Sequence, residues 1–332
     1  MLQAGDACAG ITMVLQDQVS TDNISDCESI ASRLGIPFHI LDCVQAFRER
    51  VIAPFIRIYE EGGTPNPCIQ CNRYLKFGLL LETAQAMGFD AIATGHYARI
   101  EKDPVTGRYL LYRAGDREKD QTYFLYSLTQ EQLSRTRFPL GDISKEAVRK
   151  IAEEQCFLNA KKRDSQDICF IPDGDYFSFM KRYTGKVYPG GDLLDSQGNV
   201  IGRHNGAAGY TLGQRKGLGV AMGEPVYVCG KDMASNTVTV GPNASLFHSA
   251  LRANDWNLIS LPALDKPIRV TAKVRYRHTE QPATVYPEEN GFARVEFDEP
   301  QRAITAGQAV VLYDGDLVIG GGTITEVIEK RL

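Results

Sequence analysis

Residues 72–97 read NRYLKFGLLLETAQAMGFDAIATGHY, and this stretch decides the fold class. Apolar residues recur at helical spacing in its first part, so it predicts a helix over Asn72–Met87 that Gly88 ends. The run Asp90–Thr94 then predicts a short buried strand. Because strands separated by helices are typical of parallel sheets with crossover connections, the expected class is α/β.

The alternation of strands and helices extends to both sides of this stretch. Apolar runs at Cys8–Val14 and Phe38–Leu41 predict strands, and Phe47–Glu60 predicts a helix. A β-hairpin is expected from Ala98–Ile100 and Tyr109–Tyr112, since the residues between them include a proline and a glycine typical of a turn. The first half is therefore expected to fold as an α/β domain.

The sequence changes character from about Gly185 onward. Glycines become frequent, helical periods end, and short alternating runs such as Thr237–Val240 and Arg269–Val274 predict strands. The turn at residues 241–243 and the proline-containing stretch 261–267 divide this half into two small β units. The last of them is expected to be a compact barrel.

The length of the chain supports this division, since 332 residues exceed the roughly 100–150 that are typical of one domain. Hydrophobic residues at 43% and charged residues at 23% are ordinary for a globular protein, which excludes a disordered or collagen-like chain. The domains expected are a catalytic domain at 1–171, a small central domain at 172–243 and a C-terminal barrel at 247–332.

Neither secretion nor membrane insertion is expected from the sequence. No run approaches the roughly 18 apolar residues needed to cross a bilayer, and the first 18 residues lack the basic and apolar segments of a signal peptide. A cytoplasmic location is therefore expected. The net charge of −4 argues against indiscriminate nucleic-acid binding, although local basic clusters can still contact phosphates.

Eight cysteines are scattered along the chain, which is not the dense arrangement of a disulfide-stapled domain. The CxxC pair Cys68 and Cys71 follows two prolines, so its loop is stiff. Because this loop runs into the expected helix 72–87, Cys71 is expected near a helix N-terminus, where the thiolate is favoured. A catalytic or redox role is favoured over half a zinc site or a buried structural pair, since no second close pair supplies the four ligands of structural zinc.

A polar, basic loop that begins at Lys161 ends in a single cysteine, Cys169. A lone cysteine beside a phenylalanine is more often packing than catalysis, so this one gains a chemical role only with a spatial partner such as Cys71. Two thiols that alternate between persulfide, thiol and disulfide require such a partnership.

Three further segments carry groups suited to nucleotide or RNA contact. Gly95 and His96 follow a predicted strand, at the edge where α/β sheets bind nucleotides, and Gly95 lets a ligand approach the main chain. His96 could contact a base or a phosphate, or be satisfied by local hydrogen bonds, and both interpretations stay open. The charged loop 116–121 could equally be a solvated helix entry. The run Arg275-Tyr276-Arg277-His278 combines cations with an aromatic ring, which suits phosphate contact and base stacking.

Six segments in this order resemble the tRNA-specific 2-thiouridylase family. They are TPNPCIQCN (64–72), ATGHYAR (93–99), EKDQTYFLY (118–126), KKRDSQDICFIP (161–172), YTLGQRKGLG (210–219) and KVRYRHTEQPATV (273–285). The resemblance covers nearly the whole chain. It implies a parallel-sheet catalytic domain of the adenine nucleotide α-hydrolase-like type, a small β-rich central domain and a C-terminal β-barrel that helps to hold tRNA.

The resemblance also implies a reaction, the 2-thiolation of the wobble uridine of tRNA. In that family ATP, expected to bind with Mg²⁺, adenylates the C2 oxygen of the base, and a cysteine persulfide supplies the sulfur. A disulfide remains and must be reduced. The partners implied are tRNA, a persulfide sulfur-donor protein and a reductant, and no membrane is involved.

Carried over by motif, Cys71 is similar to the nucleophile and Cys169 to the persulfide carrier, so these two also form the redox pair. Other positions match residues that bind the nucleotide or the RNA. Met13 and Gly95 match nucleotide-contacting positions, and Asn66, Pro67 and Cys68 match the segment that meets the target base. The positions that match tRNA contacts are His96, Lys119, Asp120, Gln121, Arg275, Tyr276 and Gln308.

The sequence departs from the family pattern in two places. Some members have an acidic residue at the position of Cys68, so the role of this thiol is open. The family also begins with a strand and a glycine-rich SGGxDSS-type loop that cradles pyrophosphate, whereas this sequence resembles the family only from the end of the first helix onward. We therefore expect an N-terminally truncated catalytic domain without its first strand and phosphate loop. Two alternatives remain: a tRNA-binding paralogue without catalysis, and a metal or iron–sulfur protein that uses Cys68, Cys71 and Cys169.

Overall fold

The computed structural model describes residues 1–17, 21–157, 168–220 and 223–328. The chain divides into two compact units. The first comprises Met1–Ala53, Cys68–Ser165 and Asp316–Val318, and the second comprises Pro54–Pro67, Gln166–Gly315 and Ile319–Leu332. No helix in the described part of the chain is both long enough and apolar enough to cross a membrane.

The first unit contains two pairs of parallel strands. Strand β1 (Gly10–Val14) pairs with β2 (Phe38–Asp42), in register from Gly10 opposite Phe38. Strand β3 (Ile92–Ala93) pairs in parallel with a strand at Thr136–Arg137. The α/β class is confirmed, since helices lie between these strands along the chain. The strand Thr136–Arg137 was not predicted, because a strand of two residues has no alternating pattern.

A hairpin follows β3 in the first unit. Strands β4 (Ala98–Lys102) and β5 (Tyr109–Arg113) pair antiparallel from Ala98 opposite Arg113 to Lys102 opposite Tyr109. Gly107, with φ of 72°, supplies the left-handed residue of the turn. This hairpin was predicted. Strand β6 is Thr136–Arg137, and the remaining helices of the described first unit are Thr21–Leu34, Gln130–Ser134 and Lys145–Glu154.

A long helix spans residues 44–60 and confirms the helix predicted at Phe47–Glu60. Its consecutive segments are Val44–Phe47, the π-helical Arg48–Ile52 and Ala53–Glu60. It ends where Gly62 adopts a left-handed φ of 86° and the N–H of Gly63 donates to the carbonyl of Ile58 at 2.8 Å.

The next helix begins earlier than predicted. It spans residues 67–86 as Pro67–Gln70, the π-helical Cys71–Leu79 and Leu80–Ala86. Proline is tolerated at the first helical position because its missing N–H is not needed there. The first turn therefore holds Cys68, and Cys71 lies in the second. Cys71 was expected near the start of a helix at Asn72, whereas the helix starts at Pro67 and Cys71 is its fifth residue. The stabilisation of its thiolate by the helix dipole is therefore weaker than expected, because this effect falls off beyond the first turn.

The second unit contains the two predicted β structures. The first is a four-stranded sheet in the order β8-β7-β10-β9, with buried Leu193, Val228 and Val238 in its core. Its strands are β7 (Gly191–Leu194), β8 (Val200–His204), β9 (Tyr227–Asp232) and β10 (Thr237–Gly241). The helix Tyr176–Thr184 precedes it and is capped by the Asp175 carboxylate, which accepts from the N–H of Ser178.

The second β structure of this unit is the C-terminal barrel. Its strands follow the order β11-β14-β13-β12-β15-β16, and pairing of β11 with β16 closes the cylinder. Closure leaves no exposed edge, and the predicted C-terminal β-barrel is confirmed. The strands are β11 (Phe247–Leu258), β12 (Ile268–Lys273), β13 (Gln281–Pro287), β14 (Ala293–Arg302), β15 (Ala309–Asp314) and β16 (Leu317–Ile328).

Candidate active site

Cys71 lies on the buried face of the helix 67–86, with 8% of its surface exposed. Its neighbour Asn72 is 2% exposed, and the side-chain amide of Asn72 donates to the carbonyl of Phe124 at 3.0 Å. Among the described residues, the Asn72 Oδ1 atom receives no hydrogen bond. Cys71 thus lies on a rigid element, in a π-helical segment of a kind often found at functional sites.

Cys68 and Cys169 are both exposed. Cys169 belongs to a short turn in the second unit, closed by the N–H of Ile171 donating to the carbonyl of Ile168 at 2.8 Å. The predicted basic loop before it, Lys161–Asp167, lies outside the described residues. Cys71 belongs to the first unit.

A cluster of aromatic rings anchors the chain immediately after Cys169. Phe170 and Ile171 are buried. The ring of Phe170 lies 5.2 Å from that of Phe55 at 81°, an edge-to-face contact, and 5.2 Å from that of Phe179. Cys169 is therefore an exposed thiol whose neighbouring residues, Phe170 and Ile171, are well packed. Phe55 and Phe179 were not predicted as partners of this segment, because no local sequence pattern links them to Cys169.

The segment expected to meet the target base lies directly before Cys68. Pro67 is buried and Asn66 is half-buried. Gln308, expected to contact tRNA, is 9% exposed, and its side-chain nitrogen donates to the carbonyls of Thr64 at 2.9 Å and Pro65 at 3.1 Å. The structure thus places Gln308 against the loop that leads to Cys68.

His96 is half-buried and is satisfied locally, the second of the two interpretations left open. Its Nδ1 lies 2.8 Å from Thr94 Oγ1, and its Nε2 lies 3.5 Å from Lys76 Nζ. Burial, and then the charge of Lys76, lowers the pKa of His96 to about 3, so the ring is neutral at physiological pH. Because an ammonium can only donate, Nε2 faces it with its lone pair, and the proton on Nδ1 is donated to Thr94.

The charged loop 116–121 lies beside the His96 segment. Gln121 binds the main chain of Tyr97 through both its side chain at 2.9 Å and its own N–H at 3.0 Å. Asp120 is buried, and its carboxylate accepts from the N–H of Ala114 at 3.0 Å and the hydroxyl of Thr122 at 2.7 Å. Lys119 is half-buried. Asp120 and Gln121 therefore shape this surface through their contacts with the chain itself.

The expected nucleotide-contacting residues lie on two strands or their ends. Met13 is part of β1, opposite Leu41 of β2. Gly95 follows β3, and among the residues that the structure describes, a Cβ atom added there would meet only Leu140 within 4 Å, at 3.6 Å, which is an ordinary contact. The protein itself does not require a glycine at position 95, so open space remains next to the main chain.

A group of cations surrounds His278 in the second unit. Arg275 donates to the hydroxyl of Thr305 at 2.7 Å and the carbonyl of Leu212 at 3.3 Å. Lys273 lies with Nζ 5.5 Å from the centre of the Tyr276 ring. Burial, followed by the charges of Arg275, Arg302 and Lys273, lowers the pKa of His278. The structure thus brings together Arg275 and Tyr276, and adds Lys273 and Arg302, which sequence analysis did not single out.

Within the described ranges, no group of three or more His, Cys, Asp or Glu side chains is arranged to hold a metal ion. A zinc or iron–sulfur centre at Cys68, Cys71 and Cys169 therefore gains no support from this part of the chain.

Three family models match consecutive parts of the sequence. A "tRNA methyl transferase HUP domain" matches residues 4–173, a "tRNA methyl transferase PRC-barrel domain" matches residues 178–242, and an "Aminomethyltransferase beta-barrel domain" matches residues 248–324. The three models match, in order along the chain, its α/β region, its four-stranded sheet and its C-terminal barrel.

Curated relatives match over almost the full length. The tRNA-specific 2-thiouridylase MnmA of Clostridioides difficile is 46% identical over 340 residues, covering 99% of this chain and 93% of the relative. The proteins of the same name from Treponema denticola and Moorella thermoacetica are 47% and 48% identical, covering 98% of this chain and 93% and 95% of their own lengths. Because the HUP-domain model matches more than half of the chain and these relatives span nearly all of it, the chain belongs to the tRNA-specific 2-thiouridylase MnmA family.

Proposed function

We propose that this protein is a sulfurtransferase that converts the wobble uridine of tRNA to 2-thiouridine, with Cys71 and Cys169 as its working thiols. The observation that carries the proposal is the identity of 46–48% to proteins named tRNA-specific 2-thiouridylase over almost the whole chain. The contrasting surroundings of the two cysteines support the roles assigned to them.

Cys169 is the proposed persulfide carrier. Its exposure suits a thiol that a separate persulfide-donor protein must reach, and its neighbours Phe170 and Ile171 are buried, which limits how far it can move. The terminal sulfur of the persulfide attacks C2 of the activated uridine, and the carbon–oxygen bond to the adenylyl group breaks. The transferred sulfur then bridges C2 and Cys169.

Cys71 is the proposed nucleophile of the second step. Its thiolate attacks Cys169 Sγ and breaks the bond to the transferred sulfur, which stays on the base. The product is 2-thiouridine and a Cys71–Cys169 disulfide, which a dithiol reductant must reduce before the next turnover. Burial of Cys71 excludes water from this thiol and limits side reactions.

ATP is the proposed activating nucleotide, with Mg²⁺ accompanying its phosphates. When bound, it supplies the adenylyl group that makes the C2 oxygen a leaving group. The open space beside Gly95 after β3 fits an adenosine, since nucleotides bind at the carboxyl ends of parallel strands.

The proposed tRNA surface in the second unit is the cationic group of Lys273, Arg275 and Arg302 around His278, with the Tyr276 ring beside Lys273. Cations contact phosphates and the ring can stack on an unpaired base. In the first unit, neutral His96 is unsuited to charge pairing with a phosphate, and both of its ring nitrogens already lie against groups of the protein. Lys119, Asp120 and Gln121 form the loop next to it. The proposed compartment is the cytoplasm.

A second candidate is a tRNA-binding paralogue without catalysis, since the cations around His278 would serve RNA binding alone equally well. One experiment separates the two. The protein is incubated with unmodified tRNA, a persulfide source and Mg²⁺, with and without ATP, and the nucleosides are analysed by mass spectrometry. ATP-dependent 2-thiouridine supports the enzyme. Tight tRNA binding with no 2-thiouridine supports the paralogue.

A further inference from the structure

The loop before Cys68 is held by a buried glutamine of the barrel. The side-chain amide of Gln308 donates to the carbonyls of two consecutive residues, Thr64 at 2.9 Å and Pro65 at 3.1 Å. An amide nitrogen carries two hydrogens, so these two bonds use both of them. Gln308 is 9% exposed, and hydrogen bonds in such surroundings are costly to break because the carbonyls would be left without a donor.

The residues next to Gln308 pack closely against the loop before Cys68. The N–H of Thr64 donates to the carbonyl of Ala306 at 2.9 Å. Gly307 has φ of 85°, and a Cβ atom there would lie 2.5 Å from Cγ2 of Ile58 and 3.1 Å from the Thr64 carbonyl oxygen. A side chain at Gly307 is thus excluded by both conformation and contact. The segment 303–308 and the end of the helix 44–60 therefore define where the loop lies.

The same segment is joined to the cationic group around His278. Thr305 is 1% exposed, and its hydroxyl accepts from Arg275 at 2.7 Å and donates to the carbonyl of Ala303 at 2.9 Å. The N–H of Gln308 in turn donates to the carbonyl of Thr305 at 3.2 Å. Arg275 and Gln308 are thus connected through one residue, Thr305.

We propose that Gln308 is a positioning residue, which acts through the loop and holds Asn66, Pro67 and Cys68 in the place where the target base is received. This inference rests on the proposed function and deepens it. Through Thr305, the segment 303–308 makes the position of this loop depend on the cationic surface that holds the RNA. Both amide hydrogens of Gln308 are used within the protein, so only its side-chain oxygen is left to accept from the RNA.

The test compares two changes at Gln308 with a matched change elsewhere. Gln308→Glu removes both donors and places carboxylate oxygens against the two carbonyls, whereas Gln308→Met removes the donors without adding charge. Gln301→Glu is the control, because Gln301 also donates to a main-chain carbonyl, that of Glu299 at 2.7 Å, but on the surface. Steady-state thiolation of tRNA and tRNA binding are measured for each.

We expect kcat to fall about tenfold to a hundredfold in both Gln308 variants, as for a displaced reacting group, with the KM for tRNA within about twofold of the parent. The Gln301 variant keeps both parental values. If a Gln308 variant instead keeps the parental kcat and only raises the KM for tRNA, Gln308 contacts the RNA and the proposal is overturned. Should the charged variant fail to fold, Gln308→Met carries the comparison.

A second readout is independent of enzymatic activity. The rate at which a maleimide modifies Cys68 is followed by peptide mass spectrometry, with exposed Cys156 as the internal reference. Displacement of the loop changes the Cys68 rate in both Gln308 variants and leaves the Cys156 rate unchanged. Parental rates at Cys68 in both variants would overturn the proposal. A parent protein that makes no 2-thiouridine would refute the proposed function alone, since the Cys68 rate still reports on the loop.

Discussion

Gln121 holds the main chain of Tyr97 at two points. Its side-chain oxygen accepts from the Tyr97 N–H at 2.9 Å, and its own N–H donates to the Tyr97 carbonyl at 3.0 Å. Tyr97 directly follows His96, so this pair of bonds joins the loop after β3 to the charged loop 116–121. The two predicted RNA-contacting segments of the first unit are thereby fixed to each other.

The first prediction follows from this bridge. Gln121→Met removes the acceptor and leaves the half-buried Tyr97 N–H without it, so we expect the free energy of unfolding to fall by about 1–2 kcal/mol. Gln121→Glu keeps an acceptor oxygen in the same place and is expected to lose less. Urea denaturation of both variants measures these losses. Equal losses of stability in the two variants would show that the loss of the acceptor is not the cause.

The second prediction concerns His96 and pH. Its pKa is lowered from 6.5 to about 3 in the folded state, so between these values the unfolded chain binds a proton that the folded chain does not. Stability is therefore lost as pH falls from 6.5 towards 3. His96→Asn keeps a donor near the Nδ1 position but does not titrate there. We expect the parent to lose up to about 1 kcal/mol per pH unit more than the variant.

Denaturant unfolding at several pH values between 7 and 4 measures this difference. Carboxylates titrate in the same window, but they are common to both proteins and cancel in the comparison. Parallel stability curves for parent and variant would mean that His96 is protonated in the folded state, contrary to its surroundings.

The third prediction concerns the aromatic cluster next to Cys169. Phe170→Leu keeps an apolar side chain but loses the edge-to-face contact with Phe55 and the tilted ring contact with Phe179. We expect a loss of about 1–2 kcal/mol in the free energy of unfolding, and a fall in kcat of about tenfold because Cys169 is less well positioned.

Phe247→Leu is the matched control, since Phe247 is 41% exposed at the start of β11. It should change neither quantity. A Phe170→Leu variant that is destabilised yet keeps the parental kcat would show that the aromatic cluster serves the fold alone.

The sequence predicted those features that depend on local patterns. The spacing of apolar residues in 72–97 indicated the α/β class, and the alternating runs after Gly185 indicated the β structures that follow. The start of the helix 67–86 was misplaced because Pro67 looks like a helix breaker, although proline is compatible with the first helical position.

The contacts that organise the site could not be predicted in this way. Gln308 and Thr64 are separated by 244 residues, and no local pattern in either segment signals their hydrogen bond. The packing of Phe170 on Phe55 is equally remote in sequence. The satisfied state of His96 depends on Thr94, which is near, but also on Lys76, which only the fold brings within 3.5 Å.

The central claim is that Cys71 and Cys169 together transfer sulfur to a uridine of tRNA. Mass spectrometry of tRNA nucleosides, after reaction with ATP and a persulfide source, tests it most directly when the parent is compared with Cys71→Ser, Cys169→Ser and the control Cys156→Ser. We expect 2-thiouridine from the parent and the control, and none from the other two variants, although both still bind tRNA. Full 2-thiouridine formation by either Cys71→Ser or Cys169→Ser would contradict the two-thiol mechanism.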